Sequence, residues 1–101
     1  MSDNLFQDLN PIGSDKSAKP ATVASTTSIA PNTFLSFITG TTAIATVVPP
    51  VTGHCVLCFV FTTTTPTAFT TAGNMKAITT PTSGLPMFLI YNPVEGKWYT
   101  K

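Results

Sequence analysis

The stretch "GHCVLCFVF", residues 53–61, sets His54 beside a C-x-x-C pair in a chain with no other histidine or cysteine. Its reading decides between a metal or redox centre and a β-strand. In a strand, successive side chains point to opposite faces. Cys55, Leu57, Phe59 and Phe61 then share one face, and Val56, Cys58 and Val60 the other. Extended backbone holds the two cysteine Cα atoms roughly 10 Å apart, beyond the ~7 Å that a disulfide spans. A zinc knuckle or thioredoxin-like pair needs a turn or a helix N-terminus, with Gly or Pro between the cysteines. Val56 and Leu57 favour extended backbone instead. Zinc would need four ligands, and His54, Cys55 and Cys58 are all the His and Cys the chain offers. The stretch reads as a structural strand, with no metal or cofactor expected.

Strand signals continue on both sides of it. "TFLSFIT" (33–39) and "TAIATVV" (42–48) are rich in β-branched and aromatic residues. "VPPVTG" (48–53) stops the second run, because prolines cannot continue a ladder. After "TTTTPT" (62–67), "AFTTAGN" (68–74) reads as a short strand with a Gly-Asn turn, and "KAITT" (76–80) as another strand. "LPMFLIYN" (85–92), "PVEG" (93–96) and "KWYT" (97–100) make a terminal hairpin. Turn signals recur at roughly the 8–12-residue spacing of a sandwich or barrel. The expected class is all-β: a small antiparallel β-sandwich or barrel, jelly-roll-like, over residues 33–101.

Residues 1–32 read as an extended N-terminal arm. "NPIGSDKSAKPATVASTTSIAPN" (10–32) is rich in Pro, Ser, Thr and Ala, without a sustained apolar period. Leu5, Phe6, Leu9 and Ile12 are the large apolar residues of the first twenty. Ser2 could cap a short helix with Leu5, Phe6 and Leu9 on one face, but so short a helix is unstable alone in water. Leu5, Phe6, Leu9 and Ile12 are therefore the expected partner contacts of the arm. Twenty extended residues reach ~60 Å.

Charge is scarce and unevenly placed. Only 9% of residues are charged where ~25% is usual, and Arg is absent. Asp3, Asp8, Asp15, Lys16 and Lys19 precede residue 20; Lys76, Glu95, Lys97 and Lys101 follow Met75; nothing between Pro20 and Met75 is charged. A net charge of +1 and the lack of Arg argue against a nucleic acid or an anionic membrane as partner. The polar start has no apolar signal-peptide core, and no run approaches the ~20 residues of a membrane span, so use without secretion or insertion is expected. Both faces of 55–61 and of 87–91 are apolar, so both need covering. A domain of this size supplies one layer; oligomerisation supplies the other, or the arm lies over one face of a closed sandwich.

Catalytic constellations are missing. Three of the four carboxylates lie in the arm, His54 has no acidic neighbour in sequence, and serine or threonine without a base is a weak nucleophile. No P-loop, dinucleotide fingerprint or zinc-protease motif occurs. The expectation is a protein that is not an enzyme. Trp98 with Tyr91 and Tyr99 is a candidate sugar-stacking patch, though such aromatics more often close a core.

"ITGTTAIATVVPP" (38–50), "TTAGN" (70–74) and "LPMFLIYNPVEGKWYTK" (85–101) together resemble a pattern in small structural proteins of tailed bacteriophages. Its usual form is a Thr-Gly-Thr strand pair ending in Pro-Pro, a T-x-A-G-N-I-A turn, and an apolar strand leading through a hairpin to G-x-K-W-Y-P. The resemblance covers about residues 33–101. Thr100-Lys101 replaces the final Pro, and Met75 stands where Ile is usual. The resemblance implies a homotrimeric capsid decoration or cement protein at the virion surface, made in the host cytoplasm. Its partners would be further copies of itself and the major capsid protein or neighbouring virion subunits. The alternative it implies is a head- or tail-fibre or spike module that binds a host surface glycan.

Overall fold

The computed structural model describes residues 19–101. The strands are β1 (Ala21–Ala24), β2 (Ser28–Ile29), β3 (Leu35–Thr39), β4 (Thr46–Val47), β5 (Cys55–Phe61), β6 (Pro86–Asn92) and β7 (Lys97–Thr100). No helix occurs among the described residues. The protein is β-rich, as its alternating apolar runs require. Leu5, Phe6, Leu9 and Ile12 lie outside the described residues.

Five strands form one sheet in the order β1-β3-β5-β6-β7, and β2 and β4 form a second, two-stranded sheet. Neither closes on itself. The expected all-antiparallel arrangement gives way to a mixed one. β5–β6 and β6–β7 are antiparallel, but β1–β3, β3–β5 and β2–β4 are parallel. Parallel neighbours need a crossover between them. Here each crossover carries a strand of the other sheet: β2 lies between β1 and β3, and β4 between β3 and β5.

Residues 21–29, read from the sequence as part of the arm, are extended but paired. Ala21 lies opposite Ser36 and Ala24 opposite Thr39, a constant offset of 15 residues. The same offset relates "TTSIA" (26–30) to "TTAIA" (41–45), whose Ile29 and Ile44 both enter the core. Gly40 ends β3 with φ of 86°, a conformation open to glycine and costly to other residues. A Cβ there would lie 2.9 Å from Ser25 Oγ. Ser25 Oγ instead accepts the Thr42 N–H at 3.0 Å, and the Ser25 N–H donates to the Thr39 carbonyl at 2.7 Å. The Thr-Gly-Thr motif thus steers the chain from one layer to the other.

The core lies on one side of the large sheet. Ile38, Cys55, Leu57, Phe59, Phe61, Met87, Leu89 and Trp98 meet Ile29, Ile44, Val47, Phe69 and Met75 from the second layer. Phe69 stacks on Phe59 at 6.4 Å and meets Phe61 edge-on at 5.8 Å. The strands expected in "AFTTAGN" and "KAITT" do not form. The first segment spends Phe69 as a core plug and crosses over the end of β4.

That crossing is a knot of three motifs. Gly73 passes so close to β4 that a Cβ would lie 2.1 Å from Thr46 Oγ1 and 2.3 Å from the Ala45 carbonyl oxygen. The Asn74 side chain then acts as a missing strand neighbour. Its Oδ1 accepts the Val47 N–H at 2.9 Å, and its Nδ2 donates to the Val47 carbonyl at 2.8 Å. Trp98 Nε1–H donates to that same carbonyl at 2.8 Å. Both lone pairs of one buried oxygen are filled. Main-chain bonds Trp98 N–H to Asn74 O and Lys76 N–H to Trp98 O, with Met75 bridging Trp98, cover the outer edge of β7.

Candidate interaction face

The strand alternation that builds the core also determines the opposite face of the large sheet. Cross-strand register arranges that face in rows. One row runs Phe37, Val60, Pro86, with Thr22 at the β1 end. The next runs Leu35, Cys58, Phe88, and the third Val56, Ile90, Tyr99. These residues are uncharged, and Lys101, which exchanges both main-chain hydrogen bonds with Phe88, ends the second row at the β7 edge. No described element of the chain covers the half that lies on β6 and β7: Phe88 is 43% exposed, Ile90 50% and Tyr99 41%. Leu35, Phe37, Val56 and Val60 are half-buried by one another, and Cys58, the smallest, is buried between its larger neighbours.

The two-sided pattern of the sequence therefore resolves asymmetrically. On β5 and β6 one apolar set is enclosed, Leu57 and Leu89 completely, while the other reaches solvent. A large apolar surface left exposed on a folded chain marks a contact site more often than chance scatter does.

Of the described charges, Lys76, Glu95 and Lys97 stand around the β6–β7 turn, Lys101 follows β7 and Lys19 precedes β1. Lys97 sits at the β7 end of this face and donates to the Gly73 carbonyl at 3.1 Å. Glu95, in the β6–β7 turn, accepts hydrogen bonds from Lys76, from the Tyr99 hydroxyl and from Asn92. Lys76 also lies 5.9 Å from the centre of the Tyr99 ring. The Lys76 bond, followed by the Tyr99 bond, holds the Glu95 carboxyl below its usual range. The bond to Glu95 raises Lys76, and likewise Tyr99. All three groups are open to solvent, so this network orients the Tyr99 ring more than it stabilises the fold. An apolar centre with a charged, hydrogen-bonded margin is the layout of a protein contact surface.

The cysteines sit as the alternation predicts, Cys55 toward the core and Cys58 on the open face, both free and buried. Burial pushes both thiols up, and a hydrogen bond with the Met87 backbone pulls Cys58 partly back. Raised thiols are poor nucleophiles and poor metal ligands at neutral pH. Trp98, considered for sugar stacking, is wholly enclosed, with its ring 4.9 Å from that of Tyr91 and its N–H spent on Val47. Only Tyr99 of the three aromatics is substantially exposed. Sequence reading named the apolar strands but not the rows they form. The row positions follow from the β3–β5 and β5–β6 registers, which no local pattern states.

Comparison of the chain with protein-family models, curated proteins and solved structures finds no match.

Proposed function

We propose that this protein is a structural component of a tailed-phage virion, a non-enzymatic decoration or cement protein that stabilises the capsid as a homotrimer. In this reading the two layers make a small β-sandwich bearing an extended N-terminal arm, and the protein resides at the capsid surface. The observation that carries it is the apolar face around Phe88 and Ile90, left open by every described element. A small-molecule site is a concave pocket with a few convergent polar groups, whereas this face is a sheet of apolar side chains. The resemblance of "ITGTTAIATVVPP", "TTAGN" and "LPMFLIYNPVEGKWYTK" to phage structural proteins gives the setting, and the knot around Asn74 and Trp98 supplies a structural reason for two of those motifs.

Leu5, Phe6, Leu9 and Ile12 are the proposed capsid contacts. Fully burying one such side chain stabilises by roughly 1.5–3 kcal/mol, less the cost of ordering the arm. Three linked arms add their contributions on a repeating shell. The test is cosedimentation of the full chain, and of a chain lacking residues 1–18, with purified capsids stripped of decoration. Saturable binding at hundreds of copies, weakened by the truncation while circular dichroism is unchanged, is expected. No binding, or binding at a handful of copies on the tail alone, overturns the capsid role. Equal occupancy by the truncated chain overturns the assignment of the arm.

A further inference from the structure

We propose that the open face of the five-stranded sheet, centred on Phe88 and Ile90, is the surface on which a second copy of this chain packs. The inference rests on the oligomeric reading above and names the surface that makes the oligomer.

Three observations single out a second copy as the occupant. The first is charge. A symmetric assembly brings like residues near one another, and a charged face would oppose like charges. Here the centre of the face is neutral, and Glu95, Lys97, Lys76 and Lys101, the last paired with Phe88 at the β7 edge, stand at its margin. The second is size. Strands of 4, 5, 7, 7 and 4 residues, with ~3.3 Å rise and ~4.8 Å spacing, give a face on the order of 400 Å² in projection. Side-chain relief adds to this, toward the ~800 Å² that each partner gives to a standard interface. The third is the state of the edges. Asn74, Met75 and Lys76 already occupy the outer edge of β7, so copies cannot extend the sheet there. β1, at the other edge, is only four residues long. Among the described residues nothing covers Phe88 and Ile90, and face-to-face packing of copies buries them.

The prediction is read by sedimentation velocity and light scattering on the full chain at about 10 μM. Wild type is expected to run as one defined oligomer. Phe88→Glu and Ile90→Glu point away from the core, so each should fold and yet weaken association by about 100-fold or more. Val94→Glu is the control: Val94 is 95% exposed at the β6–β7 turn, off the rows, and its variant should associate like wild type. The emission of buried Trp98 and the melting temperature report that each variant is folded.

A folded wild type that is monomeric overturns the proposal, as do Phe88→Glu and Ile90→Glu variants that stay fully associated. A chain without residues 1–18 that associates when wild type does not also overturns it, assigning the face to that segment instead. The outcome is separable from the capsid role. A monomer whose capsid binding is lost on Ile90→Glu refutes the self-packing surface and keeps the virion role. An oligomer that never binds capsids does the reverse.

Discussion

Replacing Asn74 with alanine isolates what the TTAGN motif contributes. Its side chain makes two hydrogen bonds to Val47, one to the N–H at 2.9 Å and one to the carbonyl at 2.8 Å. Val47 is wholly buried, so water does not replace the lost partner without disturbing β4. An unpartnered buried N–H costs ~1–3 kcal/mol, and the lost bond to the carbonyl adds ~0.5–1.5 kcal/mol. The carbonyl keeps Trp98 Nε1 as a donor, which holds its share to the low end. The expected total is about 2–4 kcal/mol, a large part of the ~5–15 kcal/mol by which a domain is stable. At ~4–8 °C per kcal/mol for a domain of this size, the melting temperature should fall by roughly 10–25 °C.

Circular dichroism melts at two protein concentrations separate this loss from any change in association. Asn92→Ala serves as the comparison, since the Asn92 side chain bonds to groups at the exposed β6–β7 turn, Glu95 and the Val94 N–H among them. Its effect should stay within ~0.5 kcal/mol, as for most surface changes. Because Asn74 and Trp98 share one acceptor, Asn74→Ala combined with Trp98→Phe strands the Val47 carbonyl entirely. The pair should lose more than the sum of the two single changes, by about 0.5–3 kcal/mol. A fall of less than ~4 °C for Asn74→Ala, or strict additivity in the pair, would refute the reasoning.

Gly73→Ala places a methyl 2.1 Å from Thr46 Oγ1 and 2.3 Å from the Ala45 oxygen, so denaturant melts should show a loss of roughly 2–3 kcal/mol or more. Chelator and reductant should leave the melting temperature unchanged, because Cys55 and Cys58 are free and face opposite sides of β5; a drop with either reagent contradicts the strand reading. A disulfide reagent should leave both thiols unmodified in the folded protein and react with both after denaturation. Both thiols are raised by burial, so the stability they contribute is complete below the ordinary thiol range and declines as pH rises through it, the unfolded chain ionising first. Melting temperatures that stay flat or rise from pH 7.5 to pH 10, roughly the span of that titration, would contradict this.

Local pattern was enough for the strands that carry their own signal. The alternation of residues 55–61 places Cys55 and Cys58 on opposite faces whatever their neighbours are, since it depends only on extended backbone. Proline and glycine at the ends bounded β5, and the PVEG turn joined β6 to β7 as an antiparallel hairpin. Pairing partners are a different kind of fact. β1 and β2 lie in a segment whose Ala, Ser and Thr content predicts no core, yet they pair because β3 and β4, 15 and 18 residues further on, offer parallel edges. Asn74 reads locally as a turn residue, and only the approach of Val47 from 27 positions away makes its amide a strand substitute. The same holds for the candidate interaction face. Sequence showed that β5 and β6 are apolar on both sides. Which side received the second layer was decided by where Ile29, Ile44, Val47, Phe69 and Met75 converge, and that convergence left Phe88 and Ile90 in the open.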